Sequence, residues 1–123
     1  MITLKTLPQA TAQGVFEQVA NHLIKQGVKS ETVDNNGQMN CVYRLDALKC
    51  AAGCLIAEDE YNAERIEGYS WDNLVRIGII PESHKDLICT LQEVHDEIIV
   101  ANWKEKLTAV AIEFNLDYSF LNK

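Results

Sequence analysis

The chain is short of positive charge. Its 123 residues hold 11 lysines and arginines against 18 acidic residues, a formal net charge of -7. Broad nucleic-acid binding and anionic-membrane binding both need a basic surface, so this balance argues against either. Long apolar runs are missing as well. The most apolar segment, Cys50 to Ala57, is far shorter than the roughly 18 to 20 residues of a membrane span. Met1 to Thr6 carry one lysine and no extended apolar stretch, so no secretory signal is expected. There is no internal repeat, no low-complexity tract, no glycine-rich phosphate loop and no G-x-S-x-G nucleophile turn.

What remains is the balance of a soluble globular protein, with 47% hydrophobic and 24% charged residues. Such a chain buries enough apolar surface to fold, and its length suits a single domain over residues 1–123. Four cysteines allow three two-disulfide pairings. Nothing marks the chain as secreted, and a domain of this size needs no staples, so the expectation is a cytoplasmic protein with reduced thiols.

Periodicity predicts a first helix from Thr11 to Gln26, with Ala12, Val15, Phe16, Val19 and Leu23 on one stripe and Gly27 as its stop. Lys29 to Val33 reads as extended, and Asp34-Asn35-Asn36-Gly37 as a turn. Met39, Cys41, Tyr43 and Leu45 alternate with Asn40, Val42, Arg44 and Asp46, which predicts a half-buried strand closing a short antiparallel hairpin. The small-residue run Lys49 to Ile56 is either a tight buried helix or a loop close to other backbone. Helices follow over Trp71 to Ile77, Glu82 to Ile98 and Asn102 to Asn115, with Tyr118, Phe120 and Leu121 docking the tail. The predicted class is α+β and predominantly helical: an N-terminal helix, a hairpin, then several packed helices.

Charge is uneven. Between Glu58 and Glu97 stand eleven acids and three bases, a net -8, while the rest carries eight bases and seven acids. Most such blocks are solvated helix faces. A sharper reading makes Glu58, Asp59, Glu60, Glu64 and Glu67 a patch for a basic partner surface, with association steered by charge and weakened by salt.

One cluster combines reactivity with a plausible pocket. Tyr43 and Arg44 end the strand, and Lys49, Cys50 and Cys54 follow after a short turn. Cationic neighbours would lower the Cys50 pKa, and Arg44 with Lys49 would bind a carboxylate or phosphate. The plainer reading is strand-end structure with packed small residues. Cys50 and Cys54 lie four apart, but structural zinc sites show two close pairs, so no metal and no cofactor is expected. Cys41 reads as buried in the strand. Cys89 points with Glu93 and Asp96, whose charge disfavours a thiolate. His84 and His95 are roughly 16 Å apart along one helix and cannot share an ion. His95-Asp96-Glu97 resembles a catalytic run, but consecutive helix residues face different ways.

The runs Cys41-Val42-Tyr43-Arg44 and Leu48-Lys49-Cys50-Ala51-Ala52-Gly53-Cys54-Leu55-Ile56 resemble those of a set of small proteins from bacteria and their phages. The Val15 to Leu23 helix, Glu67-Gly68, Leu91-Gln92 with His95-Asp96, and the Trp103 to Phe114 helix extend the resemblance along most of the chain. It implies a cytoplasmic, phage or prophage context and carries no activity. The leading expectation is a non-enzymatic accessory protein acting on a protein partner, with inhibition of a host system as one version. The alternative is a small-ligand or thiol-dependent enzyme centred on Tyr43, Arg44, Lys49, Cys50 and Cys54. A homodimer is compatible with both.

Overall fold

Thr11 and Gly27 bracket the first helix as their chemistry requires. In the computed structural model, which describes residues 1–122, helix α1 spans Ala12–Gln26. The Thr11 hydroxyl accepts the Gly14 N–H at 3.0 Å. Gly27 adopts a left-handed conformation, φ +66°, that closes the helix onto the Leu23 carbonyl. Val15, Phe16, Val19, Ala20 and Leu23 form the buried stripe.

The hairpin forms where the turn signal stands, but it is shorter than predicted. Strands β1 (Glu31–Val33) and β2 (Met39–Cys41) pair antiparallel, Glu31 opposite Cys41 and Val33 opposite Met39. Asp34 ties the turn by accepting the N–H groups of Asn36 and Gln38, both at 2.9 Å. The expected strand to Leu45 breaks at Val42 and Tyr43. A second two-residue ribbon follows, β3 (Arg44–Leu45) against β4 (Leu48–Lys49). The cause is a distant side chain: the Glu67 carboxylate takes the N–H groups of Tyr43 and Arg44 at 2.9 and 3.1 Å. The first ribbon therefore projects, and Met39 and Cys41 are exposed, not buried as the alternation predicts. Tyr43 alone of that set, at the break, enters the core.

The small-residue run becomes a 3-10 turn over Ala52–Leu55, deep in the core. Gly53 is required there, because a Cβ would overlap the Tyr43 carbonyl oxygen. Two short helices follow: α2 (Ala63–Ile66), capped by Asn62, and α3 (Trp71–Arg76), capped by Ser70. The long α4 (Lys85–Glu97) begins after the predicted Glu82, because His84 stands at φ +59° and is hydrogen-bonded through Nε2 to the Ala10 carbonyl at 2.7 Å. Helix α5 spans Trp103–Glu113. The tail docks as expected, with Phe120 edge-on to Phe16 at 5.8 Å and Leu121 buried. The fold is α+β and predominantly helical, with α4 packed against α1, α3 and α5 around one core. None of the helices is long and apolar enough to cross a membrane among the described residues.

Candidate functional site

Three of the local decisions above converge on one concavity. A pocket of about 320 Å³ opens between the end of β2, the Tyr69-Ser70 turn, the first turn of α3 and the flank of α4. Tyr43, Tyr69 and Trp71 supply aromatic surface, and Cys41, Cys50 and Cys89 supply thiols. Asp72, Glu93, Asp96 and Glu97 supply carboxylates, and among the described residues no lysine or arginine lines it. The volume lies at the low end of small-ligand pockets, about 300 to 1,000 Å³.

A hydrogen-bond network holds the walls. Glu67 accepts from Tyr43 N, Arg44 N and, at 2.7 Å, Tyr61 Oη. The Tyr43 hydroxyl donates to the Tyr69 carbonyl at 2.8 Å. Gln92 accepts the Ala52 N–H at 2.8 Å and donates to Asp96 Oδ1 at 2.7 Å, tying α4 to the 3-10 turn. His95, fully buried and stacked on Trp103 at 5.7 Å, accepts the Ser30 N–H on Nε2 at 2.9 Å. Its Nδ1 must then carry the proton and donate to Asp96 Oδ1, 2.7 Å away. The expectation that His95 and Asp96 face apart fails, because at the last turn of α4 their side chains converge. This dyad is not poised as a base: Nε2 is already occupied by a backbone donor.

The thiols are held protonated. Although the Cys41 residue is exposed as a whole, partial desolvation of its thiol at the pocket edge, then hydrogen bonding to Asp96 and its charge, push it up to about 12. Burial drives the fully buried Cys50 upward as well, which overturns the lowered pKa its cationic neighbours suggest. Cys54 is pushed up to about 12 by burial, and its thiol donates to the Ala51 carbonyl at 3.1 Å. Burial and the Asp72 charge raise Cys89, as its acidic surroundings imply. All four cysteines are free thiols.

Of the predicted ligand cluster, Tyr43 and Cys50 reach the pocket, and Arg44, Lys49 and Cys54 do not. Arg44 donates to the Ile56 carbonyl at 2.7 Å and covers the Tyr61 ring at 4.8 Å, a structural placement. Lys49 lies beside His22 and Gln26 on α1, in a separate shallow depression. The predicted acidic patch also divides. Glu60 takes the N–H groups of Leu4, Lys5 and Ala57 at 3.0, 3.0 and 2.8 Å, and Glu67 is the wall anchor. Glu58, Asp59 and Glu64 remain exposed.

Cys41 Sγ, a His95 nitrogen and an Asp96 oxygen lie within 4.8 Å of one another, the one such cluster among the described residues. Its polarity does not fit an ion. Metal on Nδ1 would place the remaining ring proton on Nε2, facing the Ser30 N–H, donor against donor. Sequence reasoning missed Trp71, Tyr69 and Gln92 as wall residues. The Gln92 to Asp96 spacing of four on a helix is the signal that was available. Comparison with protein-family models, with curated proteins and with solved structures gives no match.

Proposed function

We propose that this chain is a non-enzymatic bacterial or phage accessory protein that binds a basic protein partner through the acidic face around the pocket. The wall composition carries the reading: four carboxylates and, among the described residues, no cationic side chain. Asp72 is neutralised by Arg76 at 2.7 Å and Lys85 at 2.9 Å. Asp96 is spent on Gln92 and His95. Glu93 and Glu97 are exposed and make no ion pair among the described residues. Lys106 of α5 shares a neighbouring depression with them without closing a salt bridge. Two like charges one helical turn apart repel, and a basic partner relieves that. In this reading inhibition of a host system is occupation of its basic surface. The thiol-dependent alternative has less support, since every thiol environment favours the neutral form.

The test is capture from host lysate on the immobilised chain, comparing wild type, Glu93→Lys with Glu97→Lys, and Glu58→Lys with Asp59→Lys. The expected result is a basic protein released as salt rises to about 0.5 M, where screening shortens to a few ångströms. That protein is lost with the Glu93/Glu97 pair and retained with the other. Equal retention by all three chains, or retention indifferent to salt, overturns the reading.

A further inference from the structure

The pocket makes two chemical demands at once. Glu93 and Glu97, on its rim, ask for a cation. Trp71, 2% exposed and part of the same wall, has an indole N–H with no hydrogen-bond partner among the described residues. A buried donor without an acceptor is rare in native structures and calls for a missing partner. The other tryptophan shows the normal case, since Trp103 Nε1 donates to the Ile98 carbonyl at 2.9 Å. A simple amine meets only the first demand. A carboxylate or phosphate meets only the second and is repelled by the rim. A lysine or arginine residue within a peptide carries a cation and a carbonyl oxygen a few bonds apart.

We propose that the pocket between α3 and α4 holds one cationic side chain of a peptide, while a carbonyl of that peptide accepts the Trp71 indole N–H. The inference rests on the acidic-face reading and names what that face recognises. The Tyr69 ring, 46% exposed on the rim, offers the cation a π surface beside Glu93 and Glu97. The indole N–H is closed off from water in the free protein, so binding requires the wall to open far enough for the carbonyl to reach it.

The experiment is a titration of the full-length chain followed by the two indole N–H resonances, with Trp103 as internal reference. The probe is N-acetyl-lysine N-methylamide. The controls are n-butylamine, which lacks the carbonyl, and N-acetylnorleucine N-methylamide, which lacks the charge. The lysine probe is expected to move the Trp71 signal saturably and to bind about ten-fold or more tightly than either control. Glu93→Gln with Glu97→Gln, exposed changes that leave Trp103 in place, is expected to weaken it about ten-fold. An unmoved Trp71 signal overturns the proposal. So does equal binding of butylamine, which removes the carbonyl, or of the norleucine probe, which removes the cation. Loss of lysate capture in Glu93→Lys with Glu97→Lys beside a silent titration defeats this inference alone. A positive titration with capture unchanged defeats the functional reading alone.

Discussion

Replacing Glu67 by alanine removes the side chain that decides where the second strand ends. Its two oxygens accept from Tyr43 N at 2.9 Å, Arg44 N at 3.1 Å and Tyr61 Oη at 2.7 Å. Hydrogen bonds to a charged group contribute about 1.5 to 3 kcal/mol each, and an orphaned buried donor costs about 1 to 3 kcal/mol. The three are not additive, because one carboxylate serves them all and water re-enters at the half-exposed edge. A net loss of about 3 to 4 kcal/mol follows, out of roughly 6 to 18 kcal/mol for a domain of this length. With an m-value near 2 kcal/mol/M, the urea midpoint drops by about 1.5 to 2 M. Glu67→Gln keeps one acceptor but sets an amide N–H₂ against donors, so it recovers at most about half of that. Tyr61→Phe, which deletes one of the three bonds, costs about 1 kcal/mol. Glu64→Ala, on the short helix α2 that ends just before Glu67 and without a side-chain partner among the described residues, stays within about 0.5 kcal/mol of wild type. Equilibrium urea unfolding of the four variants checks the order. Should Glu67→Ala fall within about 1 kcal/mol of Glu64→Ala, the carboxylate does not hold the strand break and the reasoning is refuted.

Gly53→Ala is expected to cost about 3 kcal/mol or more, since the new Cβ meets the Tyr43 carbonyl that itself accepts the Cys50 N–H. Gly37→Ala, in open space at φ +78°, costs only about 1 to 2 kcal/mol, and urea midpoints compare the two. Alkaline pH destabilises the fold: Cys41 and Cys54 rise from 9.0 to about 12 and Tyr61 from 10.0 to about 12. The folded state keeps protons that the unfolded chain releases, so their stabilisation is complete below about pH 9 and is lost as pH climbs through 12. A urea midpoint that stays flat from about pH 8 to pH 10.5 would count against those environments.

What was legible in the sequence was local. Thr11, Gly27, Ser70 and the Asp34 turn act on backbone within a few residues, so their positions and the elements between them could be read directly. The alternation of Met39, Cys41, Tyr43 and Leu45 misled, because it assumes that Tyr43 and Arg44 spend their N–H groups in a ladder. A carboxylate more than twenty residues downstream claims them instead, and no periodicity carries that information. Cys50 failed for a related reason. Neighbouring cations in sequence suggest a thiolate, yet the chain turns the sulfur into the core, where desolvation dominates and the nearby Asp96 charge adds to it.

The acidic block shows how composition and function part company. Eleven acids between Glu58 and Glu97 read as one charge block, but folding assigns them different work. Glu60 pins the N-terminal segment, Glu67 ends a strand, Asp72 is spent on two cations and Asp96 on an amide and an imidazole. An acid already satisfied by donors has little left to offer a partner, and reversing it tests stability instead of recognition. Charge reversal at Glu60 or Glu67 would therefore weaken any complex whatever the true interface. Glu93 and Glu97 are the pair whose substitution separates the two effects: they are exposed, unpaired among the described residues, and on the rim of a pocket whose wall holds an unsatisfied donor.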